Sequence, residues 1–428
     1  MVSSMAEGLI YDIKLSSVGP GTVTEPDMVH EPSDMDLAMK LHYLKVIYYF
    51  GKQAFEGLTT LKIKEPLFMV LNYFPVICGR FRRAESGRPY IKCNDCGVRF
   101  IEAKCEKTMD EWLEMTKENA SLEKYLTPNQ IIGPELGFSP TVLLQYTKFK
   151  CGGMSVGLSW AHVLGDAFSA AEFLNQLGKV VAGEKPNRPI NLAHLKTKST
   201  NSGSPLTNME DPLSVKRVGP VGDNWMTVNN CKMEAFSFSV NATQLSHLQS
   251  KISSNGTDFS PFEALSAVIW QCIAKIRRES EPKVVTICKG MEQNKADGNN
   301  QLISVVKAAY PIVEANPGDL AVLMKNAALD QREKIENAIE KDNGVSDFIV
   351  YGANLTFTNL EEAKLYEFDY RGEKPSYVSY RVDGVGDEGA VLVLPGPPKN
   401  GGRTVMAILP ENEVTELKSE LKTEWFMI

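Results

Sequence analysis

One histidine in this chain stands where acid–base chemistry is commonly placed. His162 lies in Ser159-Trp-Ala-His-Val-Leu-Gly-Asp166, after alternating apolar residues at Met154, Val156, Leu158 and Trp160. A helical pattern runs out of the segment from Ala167 to Ala182. That order puts the imidazole at the end of a strand, on a loop held by core on both sides. Imidazole titrates near ~6.5, so at neutral pH it can serve as a general base. A plainer reading stands beside this one. His162 is then a packed loop residue and Asp166 the N-cap of the following helix, which Ala-Phe-Ser-Ala-Ala-Glu suits.

The elements that must position this loop are readable in part. Thr141 to Phe149 reads as a strand, Lys150-Cys-Gly-Gly as a turn, and Met154 to Trp160 as the hairpin partner that delivers His162. Upstream, residues 9–16 alternate as a first strand. Ser33 or Asp34 caps a predicted helix of about sixteen residues, with Leu37, Leu41, Leu44 and Tyr48 on one face. His42 falls off that stripe and is expected at the surface or rim. Leu58 to Tyr73 reads as a helix broken or restarted at Pro66, and residues 108–118 as another. Tyr90–Cys93 and Val98–Ala103 read as a strand pair about an Asn-Asp-Cys-Gly turn. Arg80, Arg82 and Arg83 read as a solvated basic face.

From Glu184 to about Asn230 five prolines interrupt a polar stretch, which marks a crossover and a candidate domain boundary. His194 lies in it and is expected to be exposed. The second half restarts with a strand over 231–240 and a helix over 241–253 carrying a surface His247. Ser260-Pro-Phe-Glu263 opens a capped helix. Strands over 284–288 and 302–308 follow, then a long helix over 319–341. A β-rich end has strands at 351–359, 376–382, 390–394 and 404–409, and a helix closes the chain from Glu411. Both halves are mixed α/β (α+β). The expected division is 1–183, a 184–230 crossover, and 231–428.

Composition narrows the function classes. The chain is 43% hydrophobic and 23% charged, and its net charge of −7 argues against nucleic acid as a partner. The longest largely apolar run, Pro66 to Gly79, is too short to span a bilayer, and the N-terminus carries no signal pattern. A cytosolic location is expected, or attachment to a membrane through a partner. Eight cysteines form no disulfide framework, and Cys93-Asn-Asp-Cys96 with Cys105 lacks a fourth ligand for zinc, so no metal is expected.

The segment from Phe149 to Phe173, centred on His162-x-x-x-Asp166, resembles the His-x-x-x-Asp region of the BAHD acyl-CoA-dependent acyltransferases. Asp36-Leu-Ala-Met, Pro75-Val-Ile-Cys-Gly-Arg80 and Ser260-Pro-Phe-Glu-Ala-Leu-Ser-Ala-Val-Ile-Trp270 resemble that family in the same order. The resemblance implies two chloramphenicol-acetyltransferase-like domains, each a mixed sheet flanked by helices, with a channel between them. It implies His162 as general base toward an acceptor attacking an acyl-CoA thioester, and Asp166 as a structural partner. It further implies Trp160, Gly165, Asp369 and Lys374 as substrate-binding positions. Acyl-CoA is the co-substrate, and no bound cofactor is implied.

One departure stands out. Where the family has Asp-Phe-Gly-Trp-Gly followed by Lys-Pro, this chain has Asp369-Tyr-Arg-Gly-Glu-Lys374-Pro375. The family aspartate holds an arginine from earlier in the second domain, and no arginine lies here between Arg278 and Arg332. That loss, with Leu41-His-Tyr43, Lys148-Phe-Lys-Cys-Gly-Gly153 and Tyr351-Gly-Ala-Asn-Leu-Thr-Phe357, resembles the eceriferum-type branch of cuticular wax formation. The branch implies promotion of very-long-chain fatty acid elongation with a membrane-bound condensing enzyme, a ketoacyl-CoA synthase. The place would be the cytosolic face of the endoplasmic reticulum. Two other readings stay open: an acyl-CoA-dependent O- or N-acyltransferase using His162, and a non-catalytic acyl-binding protein.

Overall fold

The computed structural model describes residues 8–128, 136–186, 211–219, 221, 225, 229–253, 258–290, 298–327, 329–399 and 401–427. His194 and most of the 184–230 crossover lie outside the described residues. The first half contributes β1 (Ile10–Val18), β2 (Val29–His30), β3 (Tyr43–Phe50), β4 (Arg80–Arg83), β5 (Pro89–Lys92), β6 (Val98–Cys105), β7 (Val142–Phe149) and β8 (Met154–Ala161). The rest contributes β9 (Lys216–Val218), β10 (Met233–Val240), β11 (Val284–Gly290), β12 (Gln301–Lys307), β13 (Asp347–Ile349), β14 (Leu355–Asn359), β15 (Tyr377–Asp383), β16 (Ala390–Pro395) and β17 (Arg403–Pro410).

Two six-stranded mixed sheets result, in the orders β1-β6-β7-β8-β3-β15 and β10-β17-β16-β14-β11-β12. One apolar core belongs to the second sheet and its helices, while the largest takes residues from both sheets, among them Val156 and Leu158 of β8, Leu392 of β16 and Met406 of β17. The architecture is a two-domain α/β fold. The first sheet is completed by a strand from the second half, since β15 pairs antiparallel with β3 along Tyr377↔Tyr49 to Asp383↔Tyr43. Among the described residues no helix is long and apolar enough to cross a membrane.

The expected β7–β8 hairpin forms, with the register Val142↔Trp160 to Lys148↔Met154. The helix after it, α1 (Ala167–Val181), is capped by the Asp166 side chain. α2 (Pro261–Arg277) has its Ser260–Glu263 capping box, as the sequence predicts. The helix of Thr60–Leu71 runs through Pro66 without breaking.

Four expectations are corrected. The sixteen-residue helix is only Asp34–Ala38, because Tyr43–Phe50 is a strand lying between β8 and β15 with every side chain buried. A strand covered on both faces reads as a continuous apolar run, and the helical spacing of Leu41, Leu44 and Tyr48 is incidental to it. The 90–93 and 98–103 strands do not pair; β5 pairs with β2 and β4, and β6 with β1 and β7. The 319–341 helix is two, Pro317–Lys325 and Arg332–Glu340, and between them the Gln331 amide bonds to Ile303 O on β12. Arg80 is buried, donating to the carbonyls of Gly79, Gly97 and Cys96, so it ties loops together instead of facing water.

Candidate functional site

His162 follows directly on β8, a strand held between β7 and β3. Its amide donates to the carbonyl of His42 at 3.0 Å, fixing the strand end against the residue before β3. A tight turn over His162–Leu164 then leads to Gly165, whose φ of +147° suits glycine; a Cβ there would stand 2.7 Å from the Ser169 side chain. Trp160 is fully buried, and its indole N–H donates to Gly165 O at 3.0 Å. Asp166 caps α1 by accepting from the amides of Phe168 and Ser169 (3.0 and 3.1 Å). Its other oxygen accepts from the amide of Asn300 at 3.2 Å. One carboxylate thus starts a helix of the first half and holds a loop of the second. Burial pushes its pKa up to about 6 against those three amides.

The ring of His162 is wholly buried, and the hydroxyl beside it comes from the second half of the chain. Nε2 lies 3.0 Å from the Tyr351 hydroxyl, and that hydroxyl donates to Gln301 Oε1 at 2.8 Å. Asn299 Nδ2 donates to the His162 carbonyl and to Asp36 Oδ1, both at 2.8 Å. His42 completes the cluster. Its Nε2 accepts from the amides of Val350 (3.1 Å) and Tyr351 (3.4 Å). Burial drives the pKa of His162 down to about 4, while burial and then the neighbouring His162 drive His42 down to about 3. Both imidazoles are neutral at pH 7.

Asp369 and Lys374 lie elsewhere. Asp369 sits beside Gly178, twelve residues along α1 from Asp166, or roughly 18 Å at 1.5 Å per residue. Its carboxylate accepts from the amide of Gly372 at 2.6 Å and makes no ion pair among the described residues. Tyr370 and Glu373 bridge, Tyr370 stacks on Phe55 at 4.1 Å, and Arg371 turns away to Glu56 O. Lys374 is exposed. This loop closes on itself.

The model of the Transferase family matches residues 27–424. This chain belongs to that family, the BAHD transferases. Within it the chain is 42% identical to Protein ECERIFERUM 26 of Arabidopsis thaliana, over 97% of this chain and 96% of that protein. It is 36% identical to Protein ECERIFERUM 2 of the same plant, over 96% and 98%. These matches place it on the eceriferum-type branch. A hydroxycinnamoyltransferase of Narcissus pseudonarcissus is 22% identical over 96% and 99%. Among solved structures, vinorine synthase superposes with a TM-score of 0.70 at 18% identity, covering 96% of this chain and 97% of that one. TRI101 of F. graminearum, solved with coenzyme A and deoxynivalenol, gives 0.72 at 15% identity, covering 93% and 98%. These structural likenesses establish the fold.

In this BAHD chain the His162–Asp166 loop lies at the junction of the two halves, with Trp160 and Gly165 built into its frame. Sequence reasoning placed His42 at the surface; it is buried beside His162. Tyr351 was read as the first residue of a strand, but β14 begins at Leu355 and Tyr351 stands in the turn before it. A signal for His42 existed in Tyr43-Leu-Lys-Val-Ile-Tyr-Tyr-Phe50, whose aromatic and β-branched content suits a buried strand. Nothing in the sequence singled out Gln301 or Asn299.

Proposed function

We propose that this protein promotes very-long-chain fatty acid elongation for cuticular wax. It acts beside a membrane-bound ketoacyl-CoA synthase at the cytosolic face of the endoplasmic reticulum, and it does not depend on His162 as a base. The observation carrying this reading is a step in likeness. Identity to ECERIFERUM proteins is 36–42% over nearly the full length, against 22–24% to named hydroxycinnamoyltransferases over comparable lengths. The Asp369–Lys374 loop supports it, because among the described residues the Asp369 carboxylate bonds to the Gly372 amide and makes no ion pair with an arginine. The units of this reading are residues 1–183 and 231–428, joined by the 184–230 crossover. Acyl-CoA is the ligand class, with Trp160, Gly165, Asp369 and Lys374 as its proposed substrate-binding positions.

The transferase reading keeps one specific observation on its side. The His162–Asp166 loop is held in one geometry by bonds to His42 of the first half and to Asn299 and Asn300 of the second. The two readings part in a coenzyme A release assay, with a very-long-chain acyl-CoA and a long-chain alcohol. No release above the protein-free rate is expected. Release that disappears in His162→Ala would establish a transferase. Tight acyl-CoA binding with neither release nor any effect on elongation would make the protein an acyl holder.

A further inference from the structure

The surroundings of His162 assign a role to a residue outside the family motif. We propose that Tyr351 is a built-in occupant of the acceptor position at His162, a positioning residue that keeps the imidazole as its Nε2–H tautomer and away from base chemistry. This rests on, and deepens, the reading that the protein works without His162 as a base.

The argument is one of counting protons. The Tyr351 hydroxyl has one proton, and it goes to Gln301 Oε1 at 2.8 Å, an oxygen that can only accept. The contact of 3.0 Å between that hydroxyl and His162 Nε2 is then a bond in which the imidazole donates. Nε2 therefore carries the proton, and the lone pair is on Nδ1. That nitrogen is buried and makes no hydrogen bond of full geometry among the described residues, although the Asn299 side chain and the His162 carbonyl lie close enough to favour the protonated ring. A general base needs its lone pair within reach of the acceptor proton. Here the phenol stands where an acceptor hydroxyl would stand, with the polarity of the bond reversed.

The occupant is held firmly. Tyr351 and Gln301 are each 2% exposed, and His42 and His162 are fully buried. His42 accepts the amides of Val350 and Tyr351, so the backbone that aims the phenol is anchored to the segment entering β3. The Tyr351 ring lies 5.0 Å from that of His42 and 5.5 Å from that of His162, between centroids. Burial holds the phenol in its protonated form well past neutral pH. No charge is needed anywhere in the chain Gln301, Tyr351, His162.

Histidine-selective 15N labelling of the full chain, read by long-range proton–nitrogen correlation, tests this directly. His162 signals are assigned by their loss in His162→Gln. The expected wild-type pattern is a protonated, exchange-protected Nε2 and an unprotonated Nδ1, unchanged from pH 8 to pH 5.5. Tyr351→Phe, which keeps the ring and removes the hydroxyl, is expected to shift the Nε2 resonance and raise its proton exchange at least tenfold. A wild-type His162 protonated at Nδ1, or a Tyr351→Phe protein with the same Nε2 shift and exchange, would overturn the proposal. Failure here leaves the elongation role standing, because that role is read from product chain length; elongation that requires His162 would fail the function while leaving the tautomer as found.

Discussion

Three rings remote in sequence, His42, His162 and Tyr351, share one buried corner, and their protonation makes this region sensitive to acid. Each histidine is neutral when folded, with its pKa lowered from 6.5 to about 3 in His42 and about 4 in His162, chiefly by burial. The unfolded chain takes up those protons below pH 6.5 and the folded one does not. Their contribution to stability is therefore present above 6.5 and lost as pH falls toward 4. Asp166 runs the other way. Its folded pKa, raised from 3.8 to about 6, means that stability falls as pH rises between those values. By pH 5 each histidine costs on the order of 2 kcal/mol, and Asp166 returns about 1. Denaturant unfolding should show stability dropping from pH 7 to pH 5, with a shallower drop in His162→Gln. Equal slopes in the two proteins would contradict the buried neutral state. Of these residues the sequence made His162 and Asp166 legible, because a strand, a turn and a capped helix leave strong local signals. Tyr351 left none, since its role is defined by a contact to a residue 189 positions away.

At the scale of elements, the decisive feature is β15. Its seven residues come from the second half yet close the first sheet against β3. The sequence shows Ser376 to Val382 as a strand but not its sheet, because register depends on partners that periodicity does not name. The same strand leads into the turn at Gly384, where φ is +84° and a Cβ would stand 2.2 Å from Leu41 O, just before His42. The first half alone would expose the β3 edge, an unpaired row of amides and carbonyls bordered by apolar side chains. Residues 1–183 expressed alone are expected to aggregate, and co-expression with 231–428 to restore soluble protein. A soluble, cooperatively folding 1–183 fragment would show that β15 is dispensable to that unit. The mistaken helix over β3 has the same root, as Leu37, Leu41, Leu44 and Tyr48 match helical spacing while the neighbours that bury Tyr43–Phe50 on both faces lie far along the chain.

At the scale of the whole molecule, a BAHD frame brings residues of both halves together. The hairpin, the capped helices and both mixed sheets follow from local patterns, and the likeness to vinorine synthase and TRI101 shows the frame preserved at 15–18% identity. Two features stand near the ends of α1. At its start, Tyr351 takes the Nε2 of His162. Toward its end, Asp369 is bound to its own loop. The strings Leu41-His-Tyr43 and Tyr351-Gly-Ala-Asn, which carried the resemblance to the eceriferum-type branch, meet at the first of these places. The most direct measurement is the fatty-acid chain-length profile of yeast co-expressing a plant ketoacyl-CoA synthase with this protein, wild type or His162→Ala. Equal lengthening of the products by both versions is the predicted result; lengthening by the wild type alone, or by neither, would contradict it.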